Sequence, residues 1–354
     1  MIRKQISIFV FGILLAAPAY SQPTDFRLGD LEYSFAFNIG DGEQSDVFFS
    51  SISDVTSDPQ QNIYVLERCP VGLYSYSSED QFRWKNNDEG AGPGELNRPS
   101  SIDFFADRLL LGNQRGTRID LFTPAGDFID SWTNDELNST RFSLIGIMND
   151  SLFAISMTVE MKYGVTIRIL SLDDFHVMEA LTVEQKSDNP PPRQIRLTLP
   201  VSLMGNRIAV GHFYQDSFRL FNQRLDFTSN IPPSDGNFIA PIMKVTNGSP
   251  SIHLPISSSS PRPIEDKYWF TKISWPIDVD SEDEYMTQLQ LVGWADLPGH
   301  TSARLFSAEG ELVQVVYDGP AENSTFFAIH HANNGLLIVQ FEEDDPVLSV
   351  YRLQ

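Results

Sequence analysis

Apolar positions in this chain come in short runs of β-branched, aliphatic and aromatic residues, separated by clusters of Asp, Asn, Gly and Pro. The clearest unit starts at Ser51-Ile52-Ser53-Asp54-Val55-Thr56 and turns at Asp58-Pro59-Gln60-Gln61-Asn62. It continues through Ile63-Tyr64-Val65-Leu66-Glu67 and Gly72-Leu73-Tyr74-Ser75-Tyr76, and ends at Gln81-Phe82-Arg83-Trp84. Runs of this length and composition between turn formers predict four strands. A second unit has the same grammar: Ser101-Ile102-Asp103-Phe104-Phe105, Leu109-Leu110-Leu111-Gly112-Asn113, Arg118-Ile119-Asp120-Leu121-Phe122 and Asp127-Phe128-Ile129-Asp130-Ser131-Trp132.

Further second strands are predicted at Leu152–Ile155, Ile208–Gly211, Leu289–Val292 and Leu336–Val339, so that strand starts recur at intervals of 46, 43, 56, 81 and 47 residues. Repetition of a four-stranded unit at this period predicts an all-β, six-bladed β-propeller of antiparallel blades. The two long intervals call for insertions, around residues 186–198 and 230–288. The second insertion has room for a seventh blade near Tyr268-Trp269-Phe270, which is the alternative count. A propeller also has to close, because an open ring leaves two exposed strand edges. After Val347–Tyr351 the chain ends one strand short, while Leu31–Phe37 stands alone before the first full unit. The N-terminal strand is therefore expected to complete the last blade.

The first residues change the picture of where the protein resides. Arg3 and Lys4 precede an apolar stretch from Ile6 to Ala17, and Ala19-Tyr20-Ser21 offers small residues for cleavage. This is the pattern of a secretory signal over residues 1–21, with one domain following over 22–354. Export to the periplasm or the medium is expected, with no membrane span once the signal is removed. Cys69 is the only cysteine, so an intramolecular disulfide is excluded even though that setting permits one. The formal charge of −22 becomes −24 without Arg3 and Lys4. Binding phosphates takes clustered Lys and Arg, so nucleic acid is not expected as a partner.

The loop Gly90-Ala91-Gly92-Pro93-Gly94-Glu95-Leu96, with Pro99, Ile102 and Gly126-Asp127-Phe128 after it, resembles six-bladed propellers with NHL-type repeats found in secreted bacterial proteins. That resemblance implies a fold more than an activity, since such propellers include binding scaffolds, sensor ectodomains and, in related propellers, lyases and lactonases. The glycine-rich loop itself has no Gly-Lys-Ser/Thr ending and no helix after it, so it reads as a connection between blades and not as a phosphate cradle.

In a propeller, residues that follow each second strand gather on one face. Here they are Glu67, Asn113, Ser156, His212, Gly293 and Gln340, followed by Arg68, Gln114, Met157, Phe213, Trp294 and Phe341. Glu67, Arg68, Asn113, Ser156, His212, Trp294 and Gln340 are the candidate ligand-binding residues, for a protein or a small-molecule or saccharide ligand. Strand ends that simply meet water are polar too, and this plainer reading stands beside it. No catalytic motif is present: there is no Gly-x-Ser-x-Gly and no His-Glu-x-x-His. His330 and His331 are neighbours, which on a strand point to opposite faces, so they cannot chelate one ion together. The acidic run Asp278–Glu284 lacks the Gly and the final Glu of a calcium loop. No cofactor and no metal are therefore expected. The expected function is non-enzymatic binding, and the alternative is a metal-assisted hydrolase or lyase of the gluconolactonase-like type, with an axial cation held by Glu67, Asp103, Asn113 or His212.

Overall fold

The computed structural model describes residues 25–40, 47–114, 116–133, 142–149, 151–158, 163–185, 197–212, 217–232, 242–246, 249–253, 257–258, 261–276, 299–320, 327–341 and 347–354. These residues form six antiparallel blades in a ring, and no helix occurs among them. Blade 1 runs Ile52–Ser57, Ile63–Arg68, Val71–Tyr76 and Phe82–Asn86, and blade 2 runs Ser101–Phe105, Arg108–Asn113, Arg118–Phe122 and Phe128–Thr133. Blade 3 runs Phe142–Asn149, Leu152–Thr158, Tyr163–Ser171 and Val177–Gln185, and blade 4 runs Val201–Met204, Arg207–Gly211, Phe218–Phe221 and Phe227–Ile231.

Blade 5 holds the main departure from the sequence reading. Its innermost strand is the three-residue Arg262–Ile264, followed by Tyr268–Pro276, Gly299–Ser307 and Leu312–Pro320. Tyr268-Trp269-Phe270 thus begins the second strand of the fifth blade and belongs to no seventh one. The expected second strand at Leu289–Val292 lies outside the described residues. Trp269 is fully buried in the seam between blades 4 and 5. A separate hairpin, Ile242–Thr246 with Ser249–His253, precedes this blade.

Blade 6 closes the ring as expected. Phe327–Asn333, Leu336–Phe341 and Leu348–Leu353 pair in order, and the N-terminal Leu31–Ile39 adds antiparallel to Leu348–Leu353, with Tyr33 opposite Leu353 and Ile39 opposite Leu348. Asp25–Leu28 then adds a fifth strand outside it. Neighbouring innermost strands contact one another all the way round, from blade 1 through blade 6 and back to blade 1.

The core divides into six apolar clusters, one for each seam between adjacent blades. This explains why the second strands read as unbroken apolar runs. Successive side chains on a strand point to opposite faces, and here both faces are covered. Tyr64 and Leu66 enter the seam with blade 2, while Ile63 and Val65 enter the seam with blade 6. One glycine is dictated by such packing: Gly126 has φ +91°, and a Cβ there would lie 2.9 Å from the Trp84 ring of the preceding blade. The Trp84 indole N–H donates to Pro124 O at 3.0 Å in the same turn.

Candidate functional site

Antiparallel alternation sends every second strand toward one end of the ring and every third strand away from it, so the two ends carry different connections. At one end lie tight turns, such as Asp58–Asn62, Ala106–Asp107, Gly205–Asn206 and Asn334–Gly335, several with left-handed residues. The Asp58 turn is fully bonded: its carboxylate accepts from Asn62 N at 2.8 Å and from the Tyr64 hydroxyl at 3.0 Å. At the other end each second strand stops and each innermost strand begins, and Glu67, Arg68, Asn113, Ser156, His212 and Gln340 sit at this end, with the connection between blades 1 and 2.

Glu67 and Asn113 occupy equivalent places in blades 1 and 2, and both turn inward. Glu67 is fully buried and accepts from Ser50 N at 2.6 Å, Ser51 N at 3.3 Å and the Tyr74 hydroxyl at 3.1 Å. Asn113 is likewise fully buried; its Oδ1 accepts from Asn97 N at 2.8 Å and its Nδ2 donates to Glu95 O at 2.9 Å. Each side chain therefore ties the chain entering its own blade to the end of that blade's second strand. Ser156 is buried within blade 3. Arg68 is exposed, and His212 and Gln340 are half-buried. Trp294 and Phe213 lie outside the described residues. The glycine-rich loop connects blades 1 and 2, and Arg118 holds it by donating to Ala91 O at 2.8 Å and Glu95 O at 2.7 Å.

A second group of polar side chains lies on the innermost strands, around the central channel. Asp54 Oδ2 accepts from Ile102 N of blade 2 at 3.0 Å, and Asp103 Oδ2 accepts from Ile147 N of blade 3 at 2.8 Å. The two aspartates look equivalent in sequence but are offset in register: Asp54 pairs with Leu66 beyond a bulge, whereas Asp103 pairs with Leu110. Ser101 stands where Asp54 does, and its hydroxyl accepts from Leu144 N at 3.2 Å, again reaching the next blade. His331 Nε2 lies 2.8 Å from Ser57 Oγ of blade 1, and His330 Nε2 lies 2.8 Å from Gln340 Oε1. Arg262 from blade 5 joins them. Sequence reasoning missed it because its strand is short and sits in a Ser/Pro-rich stretch. Among the described residues, no three His, Cys, Asp or Glu side chains converge to hold a metal ion.

Burial sets the charge states here. Desolvation lowers His212, His330 and His331 to about 4 each, helped by Arg219 at His212 and by Arg262 at the other two. Desolvation raises Asp103 to about 6, and nearby Asp54 adds to the rise. The unfolded chain protonates its histidines near pH 6.5, so between about pH 6.5 and 4 it binds protons that these three native histidines refuse. Stability is therefore lost as pH falls through that window. The carboxyls of Asp103, Asp54, Asp120 and Glu265, all raised by burial, act the other way by holding protons that the unfolded chain has released. The histidine contribution is isolated by His331→Asn, which is expected to lose less urea midpoint, or gain more, than wild type between pH 7 and pH 4.5. An equal slope in that variant would show that His331 does not contribute.

Comparisons with known proteins bear on the fold. No protein-family model matches the chain, and no curated protein matches it. Among solved structures, a member of the DUF4221 family from Bacteroides vulgatus superposes with a TM-score of 0.57 at 10% identity, covering 93% of this chain and 99% of that one. A protein from Bacteroides fragilis named as a candidate for export superposes with a TM-score of 0.53 at 9% identity, covering 92% and 95%. The likeness is one of fold. It extends over nearly the full length of both relatives. No helix among the described residues is long and apolar enough to cross a membrane.

Proposed function

We propose that this chain is an exported, non-enzymatic binding propeller that engages a partner through the face bearing Arg68, His212 and Gln340. The observation that carries this reading is the difference between the two ends of the ring. One end is closed by short, internally bonded turns, whereas the other holds the connection between blades 1 and 2 and the polar ends of the second strands. Recognition on a rigid scaffold is commonly placed on such connections. The signal pattern at residues 1–21 supports export, as does the shared fold with the Bacteroides fragilis protein named as a candidate for export. Glu67 and Asn113 belong to this face as its framework, since their side chains anchor the incoming connections.

Two measurements test the reading. Alanine at Arg68, His212 and Gln340 together is expected to abolish capture of whatever partner the wild-type mature protein retains, with an unchanged melt. Retention of the same partners by the triple variant would move the interface elsewhere. Metal analysis by mass spectrometry is expected to find no stoichiometric cation, and chelator is expected to leave the melting temperature unchanged. One cation per chain, with a melt lowered by chelator, would favour the metal-assisted hydrolase or lyase instead.

A further inference from the structure

We propose that the central channel binds a small zwitterion, with its carboxylate on Arg262 and its ammonium at Asp54 and Asp103. The site lies inside the ring and meets the face assigned above where Gln340 bonds His330.

The first support is placement. Arg262, Asp54 and Asp103 all stand on innermost strands, of blades 5, 1 and 2, and all three keep partial contact with solvent. Blades 5 and 1 are not neighbours, because blade 6 stands between them. The Arg262 charge nevertheless acts on Asp54 as well as on His330 and His331 of blade 6. Asp54 and Asp103 in turn sense each other's charge.

The second support is unused bonding capacity. Arg262 pairs with Phe270 through its backbone, but among the described residues its side chain makes no hydrogen bond or ion pair, although it has five donors and its charge acts on Asp54. Holding a guanidinium in a protein-walled channel without partners is unfavourable, and a carboxylate is the planar acceptor that fits its fork. Each aspartate oxygen named above accepts one backbone N–H, which leaves further lone pairs. Two carboxylates against one guanidinium disfavour a plain anion, while the unpaired guanidinium disfavours a plain cation. A ligand bearing both charges satisfies both sides. His331 is already committed to Ser57, and His330 to Gln340, so the two imidazoles wall the site.

The test is calorimetry and thermal shift on the mature wild-type protein with glycine, glycylglycine and triglycine, a series that spaces the two charges progressively. N-acetylglycine supplies the carboxylate alone and glycinamide the ammonium alone. At least one zwitterion is expected to bind and raise the melting temperature, with both single-charge probes much weaker. Arg262→Gln and Asp54→Asn are each expected to lower the affinity about ten- to hundredfold, the loss of one charge-assisted contact. The surface control Arg207→Gln is expected to match wild type. If Asp54→Asn fails to fold, Asp103→Asn and Arg262→Lys take its place. Absence of binding by all three zwitterions, equal binding of N-acetylglycine, or undiminished binding by a folded Arg262→Gln protein would each overturn the proposal.

Discussion

Deleting residues 25–40 is expected to abolish cooperative folding. The ring has no covalent closure, because the single cysteine rules out a disulfide, so blade 6 must be held by pairing and packing alone. Removal of Leu31–Ile39 exposes the whole edge of Leu348–Leu353, an apolar strand that would then seek another chain. It also strips two seams at once: Leu28 and Tyr33 pack between blades 5 and 6, and Ile39 packs between blades 6 and 1. Cross-blade bonds are lost as well, including Gly29 N to Gln314 Oε1 at 2.8 Å and the Tyr33 hydroxyl to Glu265 Oε1 at 3.4 Å. The truncated mature protein should aggregate or melt without a cooperative transition in circular dichroism. A milder version is Tyr33→Ala, which empties a fully buried aromatic site and should cost about 3–5 kcal/mol in urea unfolding. A truncated protein that stays monomeric with an unchanged melt would mean that the four untouched seams suffice.

The fold was legible wherever burial on both faces leaves a continuous apolar run. Leu109-Leu110-Leu111 announces its blade because Leu110 serves one seam and Leu109 and Leu111 serve the other. Blade 5 was not legible, since its innermost strand is only Arg262–Ile264 and contains a proline, so no run marks its start. The candidate face was legible as a spacing, but the direction of a polar side chain was not. Glu67 and Asn113 are polar because they accept from the backbone N–H groups of Ser50, Ser51 and Asn97, a cause that leaves the same trace in sequence as exposure to water. Likewise, the bulge after Ile52 shifts Asp54 against Asp103 without changing the apparent alignment of the two strands.

Asp120→Ala is expected to be the most damaging point substitution on the polar side of the structure. Asp120 and Arg118 form a 2.7 Å ion pair with both side chains almost wholly buried. Burial pushes the Asp120 carboxyl up, and Asn113 and Arg118 pull it down. Asn113 Nδ2 donates to the same carboxylate at 2.5 Å and Arg118 donates a second bond at 2.9 Å. Loss of the carboxylate leaves a buried guanidinium unpaired, for which about 3–5 kcal/mol is typical. The effect should reach the loop-rich face, since Arg118 also holds the carbonyls of Ala91 and Glu95. Urea unfolding reports the first consequence, and faster limited proteolysis between residues 88 and 96 reports the second. Arg118→Met combined with Asp120→Leu separates the two roles. An apolar pair removes the stranded charge and should recover much of the stability, because a buried pair contributes less than the penalty for breaking it. The loop should stay susceptible to protease even so, because neither new side chain offers a donor to Ala91 or Glu95. Recovery of both properties would show that the loop is held by packing alone.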